Sequence, residues 1–300
     1  MEADPPHFSV IIPSHNRHDS LLRCIQSLAV QEPAPGRFEV IVVDDGSTLP
    51  IELSSLPSGD AFELRVVRQD RKGPAGARNA GAEQARGKYL AFTDDDCRPH
   101  ASWLHHIAQY CSRFPFSAIT GKTLNQLQGN TYSAAAQLLI DYLYSYYNAA
   151  PQCARFLTSN NFALPASSFH ALGGFHAEFP SAGGEDREFC DRWLSRNYSV
   201  IYAPEAIVFH LHSMSLAGFL RQQFNYGRGA FHCNRLRFCR NGTRLSIEPS
   251  AFYLRMFRYP YRSQKPLKAH VSTLLFALSQ GAIFAGFVFE NFAHHRRIHN

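Results

Sequence analysis

Four short runs in the first hundred residues are apolar along nearly their whole length rather than at alternate positions: Phe8-Ser9-Val10-Ile11-Ile12-Pro13, Phe38 to Val43, Leu64 to Val67 and Tyr89 to Thr93. A strand with one wet face alternates, so runs of this kind belong to strands covered on both sides. Segments with helical spacing lie between them, with Leu21, Leu22, Ile25 and Leu28 after the first run and about 75–85 before the fourth. Apolar strands alternating with helices predict an α/β fold with a mostly parallel sheet and helices on both faces. Two of the runs end in carboxylates, Asp44-Asp45 and Asp94-Asp95-Asp96. Ligands of such sheets gather beyond the carboxyl ends of the strands, so these acids are expected to share one rim.

Three adjacent carboxylates repel one another unless a cation or a buried positive partner stabilises them. Oxygen donors suit Mg²⁺ or Mn²⁺, and Asp94 and Asp96 form an Asp-x-Asp pair with Asp95 as a further candidate. The formal charge of +6 and pI near 9.0 are open to nucleic acid, anionic lipid or phosphate-bearing substrates. No dense Lys/Arg tract with interleaved aromatics precedes the last third, which argues against nucleic acid. Seven cysteines without a Cys-x-x-Cys pair read as reduced thiols in a cytosolic compartment. The acidic, proline-bearing Met1-Glu2-Ala3-Asp4-Pro5-Pro6-His7 does not read as a signal peptide.

Further along, Ala134 to Ala149 reads as a tyrosine-rich helix, Leu157 to Leu164 as extended, and Glu185 to Arg196 as a helix. Val200 to Tyr202 and Ile207 to His210 follow as short strands. A boundary is expected near residue 214: a domain over 1–214, then a helical region over 215–300. In that region Leu216 to Asn234 is a helix and a looser basic stretch runs to about Lys268. Val271 to Phe289 contains no charged residue and is about long enough to span a hydrocarbon core. Lys265, Lys268, Arg296 and Arg297 flank both ends, so charge does not orient it. Three readings stand: a spanning helix, a helix in the membrane interface, and a helix buried in protein.

The runs Val10-Ile11-Ile12-Pro13-Ser14-His15-Asn16-Arg17, Val42-Val43-Asp44-Asp45-Gly46-Ser47-Thr48, Gly73-Pro74-Ala75-Gly76-Ala77-Arg78-Asn79-Ala80-Gly81 and Phe92-Thr93-Asp94-Asp95-Asp96 occur in this order. Gly173-Gly174-Phe175 and Glu185-Asp186 follow. In order and spacing the chain resembles a family 2 glycosyltransferase over roughly its first 212 residues. The resemblance implies a GT-A fold, with a Rossmann-like nucleotide-binding half over about 1–100 and an acceptor half over about 101–214, a nucleotide-sugar donor, a divalent cation and inversion at the anomeric carbon.

Residue roles follow partly from chemistry and partly from that resemblance. Pro13, Ser14 and His15 offer backbone groups and a flat ring to a base and ribose. Asp44 offers an acceptor for a base N–H, as matching residues do in the family, which favours a UDP-sugar; Asp44-Asp45-Gly46-Ser47 equally fits a strand-ending turn. Arg71, Lys72 and Arg78 surround a helix start in which Pro74 takes an early position, a setting that attracts the diphosphate. The resemblance gives Asp94 mainly to ribose and Asp96 to the cation, and a histidine near His210 or His212 ligates the metal in some relatives.

Inversion by single displacement needs a base for the acceptor hydroxyl. Asp186 stands at i of an i, i+3, i+4, i+7, i+8 stripe with Phe189, Cys190, Trp193 and Leu194, so it is expected to face inward, with Glu185 in support. Asn160 and Asn161 are expected beside the acceptor, because the resemblance puts their segment beneath the site. Tyr142, Tyr144, Tyr146 and Tyr147 either fill a core or stack on an acceptor.

Arg221, Gln222 and Gln223 lie near where processive synthases carry Gln-x-x-Arg-Trp, but no tryptophan follows. This favours transfer of one or a few sugars to a glycan, a lipid-linked or a small-molecule acceptor, at the inner surface of a membrane. The rivals are a sugar nucleotidyltransferase, which opens on a glycine-rich basic loop that Pro13-Ser14-His15-Asn16-Arg17 is not, and a catalytically silent nucleotide-sugar-binding module.

Overall fold

The four apolar runs are strands β1 (Phe8–Ser14), β2 (Phe38–Asp45), β3 (Phe62–Gln69) and β4 (Tyr89–Phe92) in the computed structural model. It describes residues 6–32, 37–57, 62–177, 179, 183–243 and 247–299, with side chains as far as residue 296. Met1 to Pro5, read above as part of a non-signal N-terminus, and the side chain of Arg297 lie outside the described residues. Strand β1 pairs in parallel with β2 and β4, and β2 with β3. The sheet continues through β5 (Cys97–Pro99), β6 (Ala118–Asn125), β7 (Phe162–Pro165) and β8 (Val200–His210), in the order β3-β2-β1-β4-β7-β6-β8-β5. Its first half is parallel as expected, while β7 and β5 run antiparallel to their neighbours.

Strand residues alternate between two cores. Val10, Ile12, Val40, Val42 and Ala91 pack with Leu21, Ile25 and Leu28 of α1 (His18–Ala29) and with Trp103, Leu104 and Ile107 of α3 (Trp103–Arg113). On the other face, Ile11, Leu90 and Phe92 pack with Ala75 and Ala82 of α2 (Gly73–Glu83) and with Phe169 of α5 (Ala166–Leu172). Phe189, Cys190 and Trp193 of α6 (Glu185–Ser195) complete that core. Both faces are therefore dry, which is why the strands carry unbroken apolar runs.

The chain divides into two units. One consists of Met1–Gln126, Ala150–Ala177 and Phe189–Leu211, and holds the whole sheet. The other consists of Leu127–Ala149, Glu178–Glu188 and His212–Asn300. It contains α4 (Thr131–Tyr147), α7 (Leu216–Asn241), α8 (Ser250–Arg258) and α9 (Pro266–His299). The second unit thus joins the stretch from His212 onward to two earlier segments.

The physical reason is packing. The tyrosine-rich α4 builds a core with Phe219, Phe252, Met256 and Phe276. Tyr142 donates to the Phe252 carbonyl at 2.6 Å, and Tyr147 to Glu248 at 2.6 Å. Of the two readings of these tyrosines, the core-filling one describes Tyr142 and Tyr144, which are buried.

Other differences are local. The segment expected to be extended from Leu157 is a strand only from Phe162, and the two short runs after Val200 are one strand. The basic stretch before Lys268 contains α8. Among the described residues one helix, Pro266–Arg296, is long and apolar enough to cross a membrane by length and composition alone.

Candidate active site

Strand β4 delivers Asp94, Asp95 and Asp96 into a tight turn closed by the Cys97 N–H donating to the Asp94 carbonyl at 3.0 Å. The protein's own cations relieve the repulsion. Arg78 of α2, almost wholly buried, donates to Asp94 at 2.6 Å. Arg17, at the end of the β1 loop and 47% exposed, reaches Asp96 at 2.8 Å and Asp95 at 3.2 Å. His210, the last residue of β8, places Nε2 3.2 Å from the other Asp96 oxygen. Asp94 is the most open of the three, 28% exposed against 5% and 10% for Asp95 and Asp96.

The three carboxyls differ in character. Asp95 turns inward, accepting from the Ser14 hydroxyl at 2.8 Å. Burial, with Asp96 and Asp94 beside it, pushes its pKa up to about 6 against the opposing pull of Arg17 and Ser14. Burial opposes the charged form of His210, but Asp96 and Asp94 outweigh it and raise its pKa above the ordinary histidine value. Cys24 and Cys97 are buried beneath the cluster, and burial together with these carboxylates holds both as thiols.

Asp44 and Asp45 do not present free acceptors. Asp44 is fully buried and accepts from the backbone N–H of Ser47 and Ile51 and from Arg68, at 2.9, 3.2 and 2.6 Å. Burial opposes this charge, yet the Ser47 and Ile51 bonds and Arg68 hold the carboxyl below the usual range. These bonds give Asp44 a part in the strand-ending turn. Asp45 accepts from the N–H groups of Lys72 and Gly73 at 2.7 and 2.8 Å. The Asp45 carboxylate thus caps the N-terminus of α2. Arg78 is committed to Asp94, which leaves Arg71 and Lys72 as the exposed cations of that expectation. Pro13 and Ser14 are buried, and His15 hydrogen-bonds the Asp45 carbonyl at 2.9 Å.

Asn161 serves the sheet. It is fully buried, accepts from Trp103 Nε1 at 2.8 Å and donates to the carbonyls of Lys122 and Ala206 at 3.0 Å each. Those carbonyls flank the break in β6–β8 pairing, where Gly121 faces Ala203 and Lys122 faces Ile207. The carboxamide replaces ladder bonds that the bulge loses. A Cβ at position 121 would strike the Ala206 carbonyl and Asn161 itself, so only glycine fits. Asn160, half-buried, lies 3.4 Å from the Thr123 hydroxyl and 3.8 Å from Cys97.

In the second unit, the segment that opens α6 is built on α7. Gly183 and Gly184 have φ of 125° and 101°, which side chains rarely adopt, and Gly229 of α7 packs directly against both. Cys233 donates to the Gly184 carbonyl at 3.2 Å. Glu185 is buried and accepts from the Gly183 N–H at 2.8 Å, while Asp186 is half-buried, its Oδ1 accepting from the Arg187 N–H at 2.7 Å. The inward carboxylate of the pair is Glu185.

Sequence reasoning did not single out Arg17 or Asn79. Arg17 stood in the quoted β1 run, and its signal is a lone cation three residues beyond a strand whose neighbour leads into three acids. Asn79 exchanges two 2.8 Å bonds with the Phe175 backbone and so ties the Gly76-Ala77-Arg78-Asn79 motif to Gly173-Gly174-Phe175.

With the site described, its relatives can be set beside it. Residues 9–173, more than half of the chain, match the family described as Glycosyl transferase family 2. A glycosyltransferase, AglE of Haloferax volcanii, is 29% identical over 241 residues, covering 76% of this chain and 74% of that protein. A pre-mycofactocin glycosyltransferase of Mycobacterium tuberculosis is 27% identical over 227 residues, 74% of this chain. The match spans 46% of that relative, about half its length.

Among solved structures, the mannosyltransferase PcManGT of Pyrobaculum calidifontis, in complex with GDP-Man and Mn²⁺, superposes with a TM-score of 0.66 at 15% identity. That match covers 97% of this chain and 90% of the other. GalNAc-T7 with UDP, GalNAc and Mn²⁺ gives 0.55 at 17% identity, covering 96% of this chain and 57% of the other. The fold and these matches define a GT-A glycosyltransferase. The chain belongs to glycosyl transferase family 2, as its motifs led one to expect.

Proposed function

We propose that this chain transfers a sugar from a nucleoside-diphosphate sugar to a hydroxyl of a glycan, lipid-linked or small-molecule acceptor, with inversion, at the inner surface of a membrane. The observation that carries the reading is the set of carboxylates, arginines and imidazole gathered at the ends of β1, β4 and β8 in a family 2 chain. Two partly open carboxylates beside an imidazole nitrogen are a donor set that fits Mn²⁺ or Mg²⁺. Asp94, Asp96 and His210 would hold it, and when bound it supplies Lewis-acid stabilisation of charge on the leaving diphosphate.

The chain's own groups do the rest. Arg71 and Lys72 remain the candidate phosphate cations, and His15 with the Pro13-Ser14 backbone the candidate contacts for base and ribose. A UDP-sugar stays the favoured donor and a GDP-sugar the second choice; GalNAc-T7 and PcManGT were solved with UDP and GDP-Man respectively. Asp186 is assigned as the base that takes the acceptor proton, supported by its place in the first turn of α6 and by the glycine-built loop that positions it. Glu185 anchors that loop.

The test is a thermal-shift screen of nucleoside diphosphates and their sugars with and without Mn²⁺, followed by transfer assays. Asp96→Ala should lose the Mn²⁺-dependent shift. Asp186→Asn should keep it and lose about 10²- to 10⁴-fold in transfer. Full turnover by Asp186→Asn removes the base assignment, and release of pyrophosphate in place of nucleoside diphosphate removes the reaction class.

A further inference from the structure

Helix α9 shows water a wholly apolar face. Between Val271 and Phe292 its solvent-facing positions are Val271, Leu274, Ala277, Leu278, Gly281, Phe284, Ala285, Phe289 and Phe292, without one polar side chain among them. Phe284 is 71% exposed and Phe292 64%. Its polar residues lie on the other side, Ser272, Ser279 and Glu290 buried beside Leu275 and Phe276, and Thr273, Gln280 and Asn291 partly buried. The bare apolar face is about 32 Å long at 1.5 Å per residue, more than a helix in water leaves uncovered without a partner.

Charge identifies the partner. Residues 212–300 hold thirteen Lys and Arg against two Glu, a net +11, whereas residues 1–211 are net −5. Arg255, Arg258, Arg262, Lys265 and Lys268 are all exposed and lead straight into the apolar face, with no acid between Glu248 and Glu290. Exposed aromatic and aliphatic side chains preceded by a basic cluster are complementary to an anionic lipid surface.

Packing decides the orientation. Helix α7 lies against the opposite side of α9, where a Cβ on Gly227 would strike the Ile283 carbonyl and one on Gly286 the Phe224 carbonyl. It carries Arg221, Arg228, Arg235, Arg237 and Arg240. Arg228 and His232 bond to Glu290 at 2.7 and 3.1 Å, and Arg235 to His294 at 2.9 Å. A spanning α9 would drag these cations into hydrocarbon, at high cost.

We infer that α9 lies in the plane of an anionic bilayer surface, its Val271–Phe292 face in the lipid and α7 on the water side. This rests on the membrane-surface part of the reading above and not on sugar transfer.

The full chain is tested with vesicles of phosphatidylcholine alone and with about one-third phosphatidylglycerol. Binding is expected only to the anionic vesicles, and Phe284→Ser/Phe289→Ser/Phe292→Ser, all at exposed sites, should weaken it at least about 10-fold. Val271→Trp, Leu278→Trp and Phe289→Trp, read one at a time with lipids brominated at different depths, should report one shallow depth for all three. Absence of binding to anionic vesicles overturns both the inference and the membrane reading. Binding with depths graded along the helix overturns only the in-plane orientation. A stable dimer that ignores vesicles and dissociates in the triple serine variant assigns the face to a second copy and also overturns it. The Mn²⁺ and nucleotide shifts report separately on the catalytic reading.

Discussion

Asn161→Asp separates a structural clamp from an acceptor contact. The substitution is isosteric and keeps the acceptor for Trp103 Nε1, but removes both donors from the Lys122 and Ala206 carbonyls. Each buried carbonyl left without a donor costs about 1–3 kcal/mol. A carboxyl turned on two carbonyl oxygens in a fully buried site adds to that, so the loss is about 3–5 kcal/mol. Against a typical total of about 5–15 kcal/mol, this is a large fraction. For a domain of about 150–250 residues it corresponds to a fall in Tm of about 6–20 °C. The assay is thermal unfolding by circular dichroism, with transfer kinetics on whatever folds. A Tm within about 2 °C of the parent, coupled to a raised KM for acceptor, would refute the clamp and favour the acceptor role expected from sequence.

Glu39 gives a pH prediction. It is buried, and although burial opposes its charge, Ser9, the Arg86 N–H and Arg65 hold its pKa below the ordinary value. A depressed carboxyl stabilises the fold above its unfolded pKa, about 4.3, and that stability is lost as pH falls through the folded value. Glu39→Gln should therefore be about 1–3 kcal/mol less stable at pH 7 and lose less than the parent on acidification below about pH 4.3; parallel Tm-against-pH curves would sink the argument. Gly227→Ala should cost about 2–3 kcal/mol by overpacking α7 against the Ile283 carbonyl, visible in urea melts, and an unchanged midpoint would show that the two helices separate freely.

The sequence carried more of the fold than of the site. Unbroken apolar runs are a local signal, and they marked β1 to β4 because both faces of those strands are covered. The strand β6 was hidden because Gly121, Lys122 and Thr123 interrupt its run, and β5 is only three residues long. Helix α3 did carry a signal, since Trp103, Leu104, Ile107, Ala108 and Cys111 follow helical spacing. The acids of the site were also legible as a group, through their positions after β2 and β4.

What each acid does was not legible, because a carboxylate's role depends on which distant N–H or cation reaches it first. Asp44 and Asp45 are taken by turn and helix backbone 3 to 28 residues away, and Asp96 by Arg17, 79 residues earlier. The same holds for the two units. Composition alone marked a change near residue 214, but only close packing shows that Gly183 and Gly184 rest on Gly229. Patterning along the chain thus determined the sheet, the family and the chemical class. Contacts between residues far apart in sequence, which no local pattern encodes, decided which carboxylates stay open and which face of α9 is left bare.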